Sequence, residues 1–235
     1  MLIVGHRGVS GYFPENTQVS IEAAAQFSLS WIEVDVQLTK DKHLVIAHDA
    51  TIERCSNGNG AISELTLEQL KRFDFGSWFD HCRFGDEKIL TIEELLNITR
   101  RLSLCINLEL KVFQSDSELL CQQLKTLFSF STSTLDNFVF SSFDHQTLTN
   151  LKKKIPNAKL GVLSERLDKR TMALISDIDA YSCHLHHLLL TNDDIDYLHK
   201  KGIQVWVYTV NEPEQIEGLN AIDAIFTDFP DRFII

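Results

Sequence analysis

Short apolar runs alternate with longer amphipathic segments along almost the whole chain. The segments between most runs place apolar residues three and four positions apart, which is the spacing of a helix that covers a sheet. A ninth run, LVIAH (44–48), is predicted to pair back with the second strand. This alternation predicts a parallel sheet built from βα units. The eight predicted strands of that sheet are LIVGH (2–6), WIEVDVQ (31–37), CINLEL (105–110), NFVFSS (137–142), KLGVL (159–163), AYSCH (180–184), QVWVYT (204–209) and AIFT (224–227).

Eight βα repeats within 235 residues favour an α/β fold of the (β/α)8 TIM-barrel type. A doubly wound sheet is the alternative, but no G-x-G-x-x-G follows the first strand. Residues 49–90 break the repeat with the glycine-rich turn NGNG (57–60) and with aromatic clusters. We therefore expect residues 1–235 to form a single barrel domain in which residues 49–90 are a small insertion that caps one mouth.

Carboxylates occupy the second strand where apolar side chains are expected. Because side chains alternate across a strand, Glu33 and Asp35 share one face of WIEVDVQ and its apolar residues share the other. The apolar face must meet the helices, so both carboxylates are predicted to point into the barrel. An isolated E-V-D-V is more typical of a half-exposed antiparallel strand, but a parallel strand early in a barrel has no solvated face.

The third strand has the same parity. In CINLELK (105–111), Asn107, Glu109 and Lys111 are predicted to point inward. Buried carboxylates are costly unless a cation compensates them, so three inward carboxylates predict a metal site. Oxygen ligands without Cys or a His-x-x-x-His pair favour Mg²⁺ or Ca²⁺ over zinc. An ion pair between Glu109 and Lys111 is the alternative interpretation of that strand.

Two histidines close apolar runs, His6 in LIVGH and His48 in LVIAH. Both are predicted to lie at the C-terminal rim, where barrels collect their catalytic groups. Imidazoles with a pKa of about 6.5 are suited to act as general acid and general base at neutral pH. Arg7 and Lys111 are the candidate cations for a phosphate, the first as a bidentate fork and the second as a point charge.

Other aromatic and imidazole side chains carry weaker signals. Trp206 shares a strand face with Tyr208, so it either fills the barrel interior or offers a flat wall to a substrate. The cluster of His184, His186 and His187 could suggest a metal site, but only His184 ends a predicted strand. We expect the other two to decorate a loop, and all three to be structural.

Composition narrows the classes of partner. A formal net charge of −11 with no block of Lys or Arg argues against nucleic acid and against an anionic membrane, and favours a small-molecule ligand. The five cysteines are odd in number and contain no C-x-x-C, which is typical of free thiols in a reducing compartment. No apolar stretch approaches the roughly 18 residues of a membrane span, and no basic leader precedes the first strand. We therefore expect a cytoplasmic protein.

Several short motifs follow one another in an order and spacing that are more specific than any of them alone. The motifs are HRG (6–8), PENT (14–17), EVDVQ (33–37), HD (48–49) with TIERCSNGNG (51–60), LTLEQL (65–70), LELK (108–111), WVYTVN (206–211) and FTDFP (226–230). Together they resemble the glycerophosphodiester phosphodiesterase family, and the resemblance runs nearly from end to end. One departure is Leu90, where the family commonly has proline before the helix.

The resemblance implies a TIM barrel with a small insertion after the second strand. It implies hydrolysis of glycerophosphodiesters, which are deacylated phospholipids, to sn-glycerol 3-phosphate and an alcohol, with a divalent metal. The head group of that alcohol and the choice between Mg²⁺ and Ca²⁺ stay open, as does the order in which the histidines act. Position by position, the implied roles are acid and base for His6 and His48, metal ligands for Glu33, Asp35 and Glu109, phosphate contacts for Arg7 and Lys111, and a substrate-side aromatic for Trp206.

Two other functions compete with this hypothesis. A phospholipase that acts on intact lipid would need an exposed apolar or basic face, which this acidic chain does not suggest. A noncatalytic protein that binds phospho-ligands on a retained barrel is the second alternative, and the presence of His6, His48 and three inward carboxylates counts against it.

Overall fold

Ten strands form one sheet within the part of the chain that this computed structural model describes, residues 1–113, 116–130 and 135–234. Eight of these strands run parallel and close into a barrel, because β1 pairs with both β10 and β2. The (β/α)8 prediction is therefore confirmed. In chain order the strands are β1 (Leu2–His6), β2 (Trp31–Leu38), β3 (Leu44–Ile46), β4 (Leu90–Thr91), β5 (Cys105–Leu110), β6 (Phe138–Ser142), β7 (Lys159–Ser164), β8 (Ser182–His186), β9 (Gln204–Tyr208) and β10 (Ala224–Thr227).

Helices follow most of the barrel strands, as the amphipathic spacing predicts. Short 3₁₀ turns at Ile62–Glu64, Leu135–Asn137, Pro213–Ile216 and Pro230–Arg232 complete the connections. Among the described residues no helix combines the length and the hydrophobicity that crossing a membrane requires. The helices are α1 (Gln18–Gln26), α2 (Leu67–Leu70), α3 (Ser77–Phe84), α4 (Ile92–Leu102), α5 (Ser117–Phe130), α6 (His145–Lys154), α7 (Lys169–Asp177) and α8 (Asn192–Lys200).

Two apolar layers result from the alternation along the barrel strands. The outward residues of β2, Ile32, Val34 and Val36, are fully buried in the core that joins strands to helices. The inward residues Glu33 and Asp35 are also buried, but inside the barrel. A smaller cluster fills the other end of the barrel interior and consists of Val4, Val139, Trp206, Ala224 and Phe226. The strand parity read from the sequence thus separates the outer core from the polar interior.

Residues after β2 leave the barrel and return to it. Strand β3 pairs antiparallel with β2, with Ile46 opposite Val36, and β4 pairs antiparallel with β3. The sequence pattern predicts β3 but not the two-residue β4, which is too short to show a periodicity. Between β3 and β4, apolar side chains form a small core of their own, Val45, Ile52, Ile62, Leu70, Phe75 and Ile89.

Strand β8 differs from its prediction. The pattern places a strand over 180–184, whereas β8 runs from Ser182 to His186 and pairs with β9 up to Tyr208. The expectation that His186 decorates a loop is therefore wrong. The backbone continues the ladder for two more residues because β9 offers a partner there, which the local sequence does not indicate.

Candidate active site

A cavity of about 320 Å³ opens at the C-terminal ends of the barrel strands. Charged and imidazole side chains from β1, β2, β5 and the segment after β3 line one side of it, and mostly apolar or aromatic side chains from β6 to β10 line the other. The lining residues are His6, Arg7, Glu33, His48, Asn107, Glu109, Lys111, Phe143, Leu163, His186, Tyr208, Thr209 and Phe226. Six of the eight sequence-predicted site residues are in this set, and Asp35 lies against it through its contacts with Arg7 and Lys111.

Three carboxylates meet at the base of the cavity. Glu33 and Asp35 follow the inward face of β2, and the register sets Asp35 directly opposite Glu109 of β5. One oxygen atom of each carboxylate lies within 4.8 Å of an oxygen of the other two. All three side chains belong to buried residues, so the cluster is withdrawn from water.

The charge of this cluster is only partly compensated. The Nζ atom of Lys111 lies 3.1 Å from Asp35 Oδ1, and Arg7 Nε lies 3.6 Å from Asp35 Oδ2. Among the described residues, Glu33 Oε1 and Asp35 Oδ1 are nevertheless buried without a hydrogen-bond donor of good geometry. Unsatisfied carboxylate oxygens that converge on one point are the atoms that a hard cation would take as ligands.

The pKa values of the cluster reflect this imbalance. Burial raises the pKa of Glu33 well above its usual range, and the neighbouring charges of Asp35 and Glu109 raise it further. Burial and Asp35 also raise the pKa of Glu109. Burial would do the same to Asp35, but Lys111 and Arg7 outweigh it and lower the pKa of that carboxyl. The cluster therefore favours either a bound cation or protonation of Glu33 or Glu109.

His6 lies beside the cluster and is held by Asp228, a carboxylate outside it. Its Nδ1 lies 2.6 Å from Asp228 Oδ1, and its Nε2 lies 3.9 Å from Glu33 Oε2. Asp228 is itself fixed by Ser10 Oγ, which donates at 2.6 Å, and by Asn211 Nδ2, which donates at 2.7 Å. A proton on Nδ1 satisfies the bond to Asp228, so Nε2 is the ring atom that faces the cavity.

His48 has an equivalent partner but reaches the cavity by another route. Its Nδ1 lies 2.7 Å from Asp49 Oδ1, and burial lowers the pKa of the imidazole. The sequence predicts His48 at the rim because it closes an apolar run. That run is β3, which returns antiparallel beside β2. The Ala47 backbone N–H donates to the Asp35 carbonyl, and β1 ends opposite Glu33, so β3 ends level with the C-terminal end of β1. His48 lines the cavity because β2 extends far enough to carry β3 over the mouth.

Arg7 and Lys111 supply the fixed positive charge. Arg7 follows the last residue of β1 in a left-handed conformation with φ of 53°, and its Nη1 donates to Glu15 Oε1 at 2.7 Å. Lys111 follows β5 and contacts both Glu109 and Asp35. Asp35 and neighbouring carboxylates raise the pKa of each cation despite burial, which keeps both charged. The predicted ion pair between Glu109 and Lys111 and the carboxylate cluster are therefore both present.

Trp206 is not brought to the cavity, and the expectation that it forms a substrate-side wall is not supported. Its side chain is 1% exposed and stacks on the ring of His184 at 4.9 Å between centroids. Tyr208, two residues further along the same strand face, lines the cavity instead, together with Phe143 after β6. Alternation identifies the inward face of β9, but only its last inward residue reaches the mouth.

The three histidines near β8 have different surroundings. His184 is fully buried, and a Cβ atom at Gly161 would lie 2.5 Å from its Nε2, so the glycine makes room for the ring. Burial lowers the pKa of His184 to about 3, which fits the structural role expected for it. His186 lines the cavity, and His187 packs beside it at 4.7 Å between ring centroids.

Two positioning contacts join residues that no local sequence pattern connects. Asp228 lies 222 positions from His6, and only its place in the FTDFP stretch could have pointed to it. Asn16, in the PENT stretch, donates from Nδ2 to Asp35 Oδ2 at 2.9 Å and holds that carboxylate in place. Both stretches belong to the family resemblance, which identifies them as important without stating their contacts.

The chain is similar to known proteins over almost its whole length. Residues 6–232 match the family model described as the glycerophosphoryl diester phosphodiesterase family. A glycerophosphodiester phosphodiesterase of Caldanaerobacter subterraneus subsp. tengcongensis is 32% identical over 99% of this chain and 96% of its own length. One of Bacillus altitudinis is 33% identical over the same shares.

A solved structure is also similar over nearly the whole fold. A phosphodiesterase of Oleispira antarctica, in complex with the product sn-glycerol-3-phosphate, superposes with a TM-score of 0.92 and is 27% identical. The match covers 99% of this chain and 94% of that chain. The overall fold is thus shared with that phosphodiesterase.

Proposed function

Because the chain belongs to the glycerophosphoryl diester phosphodiesterase family, a family of phosphoric diester hydrolases, we propose that it hydrolyses glycerophosphodiesters to sn-glycerol 3-phosphate and an alcohol. The observation that carries the proposal is the content of the cavity. It combines a buried carboxylate cluster, two imidazoles each held through Nδ1 by an aspartate, and two cations. We further propose that residues 1–235 act as a single domain with residues 49–90 as the insertion. A cytoplasmic location stays a prediction.

The carboxylates fit a divalent ion. Glu33, Asp35 and Glu109 offer converging oxygen atoms, and two of these atoms lack a hydrogen-bond donor of good geometry among the described residues. Oxygen-only donor sets suit Mg²⁺ or Ca²⁺. These three residues would hold the ion. When bound, such an ion supplies a Lewis acid that polarises a phosphate oxygen and lowers the pKa of a neighbouring hydroxyl.

The remaining residues of the cavity bind the phosphate or transfer protons. Arg7 and Lys111 bind the phosphate oxygens and stabilise the charge that builds on them. One histidine accepts at Nε2 the proton of the glycerol hydroxyl beside the ester, and that oxygen attacks phosphorus. The other histidine donates its Nε2 proton to the departing alcohol oxygen. Water then opens the cyclic phosphate with the two roles exchanged, which regenerates both imidazoles.

The first test uses the two histidines. We expect His6→Ala and His48→Ala to fold normally and to lose about two to four orders of magnitude in kcat, because each removes a general acid or base. Steady-state kinetics measure the loss of kcat. The substrates are glycerophosphodiesters with choline, ethanolamine, glycerol and inositol head groups, each assayed with Mg²⁺, with Ca²⁺ and with EDTA. Wild-type rates in either variant would reject the assignment.

Two further measurements test the chemistry. A transient cyclic glycerophosphate would support attack by the glycerol hydroxyl, whereas undiminished turnover of a substrate without that hydroxyl would exclude it. We expect Glu109→Gln to raise the metal concentration needed for half-maximal activity. An unchanged requirement would remove Glu109 from the ligand set.

The alternatives have their own tests. The cavity of about 320 Å³ is at the lower end of small-molecule sites, which are about 300–1,000 Å³, and this favours a deacylated diester over an intact lipid. Hydrolysis of liposomes would instead favour the phospholipase. Tight binding of a glycerophosphodiester without turnover under Mg²⁺ and Ca²⁺ would favour the noncatalytic binding protein.

A further inference from the structure

One guanidinium from the insertion binds two carboxylates of the candidate active site. Arg54 donates from Nη1 to Glu15 Oε2 at 2.6 Å and from Nη2 to Glu15 Oε1 at 2.8 Å. The same side chain donates from Nε to Asp49 Oδ2 at 2.6 Å and from Nη2 to Asp49 Oδ1 at 3.1 Å. All three nitrogen atoms of the planar group are therefore engaged, and each carboxylate is held at both oxygens.

Each of these carboxylates holds a residue that lines the cavity. Glu15 Oε1 also accepts from Arg7 Nη1 at 2.7 Å. Asp49 Oδ1 also lies 2.7 Å from His48 Nδ1. The four side chains thus connect, through Arg54, a cation proposed to bind phosphate with an imidazole proposed to transfer a proton.

The insertion fixes the backbone that carries Arg54. Ile52, two residues before it, is 1% exposed in the small apolar core between β3 and β4. Ser56 Oγ, two residues after it, donates to the Ile52 carbonyl at 2.6 Å, and Thr51 forms an isolated antiparallel bridge with Ala61. These contacts hold the turn on both sides of Arg54, although the Arg54 side chain is 45% exposed.

We infer that Arg54 is a positioning residue that orients His48 and Arg7 together through Asp49 and Glu15. This inference rests on the proposed function and goes beyond it, because it gives the insertion a part in the reaction. A guanidinium can bind two carboxylates in a fixed plane, whereas an ammonium is a point charge without that geometry. The bonds from Arg54 also lower the pKa of Asp49 to about 2, so its carboxylate stays ionised against the imidazole.

The test compares Arg54→Ala and Arg54→Lys with the wild-type enzyme. Because catalytic groups displaced by about 1 Å cost about 100-fold in rate, we expect Arg54→Ala to lose about 10- to 100-fold in kcat with little change in thermal midpoint. Arg54→Lys should recover only part of the loss. Arg72→Ala is the matched control, since Arg72 belongs to the same insertion, pairs with Glu68 and does not line the cavity. It should stay within about twofold of wild type.

Chemical rescue separates positioning from folding. The exposed side of Arg54 leaves a path for a small cation in Arg54→Ala, so millimolar guanidinium should restore much of the kcat of this variant. It should leave the wild-type enzyme and Arg72→Ala unchanged. Activity of Arg54→Ala within about twofold of wild type, or an equal loss in Arg72→Ala, would overturn the inference.

A readout without catalysis keeps the two proposals distinct. The ¹⁵N spectrum of the His48 ring, identified by its loss in His48→Gln, should show the Nδ1–H tautomer in wild type and a mixture of tautomers in Arg54→Ala. An unchanged tautomer would refute the positioning role. A wild-type enzyme that hydrolyses none of the diesters would refute the proposed function, and the spectrum would still decide on Arg54.

Discussion

His6, one of the imidazoles that line the cavity, depends on an aspartate that no local pattern connects to it. Asp228 accepts hydrogen bonds from Ser10 and Asn211 and lies against His6 Nδ1, so its position is fixed from three sides. Burial would raise the pKa of Asp228, but the bonds from His6 and Ser10 outweigh it and lower the pKa. The carboxylate is thus kept ionised, and its contact with Nδ1 orients the His6 ring.

Replacing that carboxylate by an amide tests its role. We expect Asp228→Asn to lower kcat by about 10- to 1,000-fold, because the amide keeps the size of the side chain but not the charge that stabilises the imidazolium. The kinetics of glycerophosphodiester hydrolysis measure this. Asp223→Asn is the matched control, since Asp223 binds His199 Nε2 at 2.8 Å, and neither of these residues lines the cavity. A similar loss of kcat in both variants would contradict the prediction.

Substitution of Trp206 should affect stability, whereas substitution of Phe143 should affect substrate binding. Trp206 is packed among Val4, Val139 and Phe226, so we expect Trp206→Phe to lower the free energy of unfolding by about 1–3 kcal/mol with little change in KM. Phe143 is 48% exposed and lines the cavity, so Phe143→Ala should raise KM with little effect on stability. Denaturant unfolding and steady-state kinetics of both variants measure this. A raised KM in Trp206→Phe alone would restore Trp206 as a substrate contact.

At the scale of elements, helix α4 joins the insertion to the barrel. It begins with a capping box in which Thr91 Oγ1 accepts from the Glu94 backbone N–H at 3.2 Å and Glu94 Oε2 accepts from the Thr91 backbone N–H at 2.8 Å. Thr91 also ends β4, so the same residue closes the insertion and starts the helix. The cap therefore marks the point at which the chain returns from the segment between β3 and β4 to the helices around the barrel.

Removing the cap should destabilise the protein modestly. We expect Thr91→Ala to lower the free energy of unfolding by about 0.5–2 kcal/mol, because the first turn of α4 loses the acceptor for one of its free N–H groups. Thr126→Ala in the middle of α5 is the control, since its hydroxyl only donates back to the Gln122 carbonyl and its side chain is exposed. Urea unfolding of both variants compares them. Equal stability changes would argue against a contribution from the cap.

At the scale of the whole molecule, the carboxylates proposed to bind a metal destabilise the metal-free barrel. The barrel closes around three buried carboxylates, and Arg7 and Lys111 do not satisfy all of their oxygen atoms. Buried charges of one sign are costly unless a cation compensates them. The fold therefore retains an electrostatic strain at its centre, and binding of a cation would relieve it.

A divalent ion should accordingly stabilise the folded protein. At about 100 times its dissociation constant, a bound ion contributes about 2.7 kcal/mol, so Mg²⁺ or Ca²⁺ should raise the thermal midpoint by about 5–10 °C. EDTA should reverse the increase. Glu33→Gln should raise the midpoint of the metal-free protein, because it removes a carboxyl group that must be either charged beside two other buried carboxylates or protonated, and it should reduce the response to metal. No response of the wild-type protein to either ion would contradict the metal site.

The sequence by itself determined the parity of the barrel strands. Side-chain alternation depends only on the backbone of a strand, so an apolar set at Ile32, Val34 and Val36 requires Glu33 and Asp35 to face inward once the fold is a barrel. The same argument holds for Glu109. The end of β1 likewise places His6 and Arg7 at the mouth, since parallel strands all end on one side.

Only the tertiary structure decided how deep each inward side chain lies in the barrel and which residues from distant segments contact one another. Alternation cannot distinguish Trp206 from Tyr208, because the level of an inward residue depends on the tilt and stagger of all the strands together. The pairs of His6 with Asp228 and of Arg54 with Glu15 join segments far apart in the chain. Such contacts form where the closed barrel brings loops together, and no local periodicity encodes which loops meet.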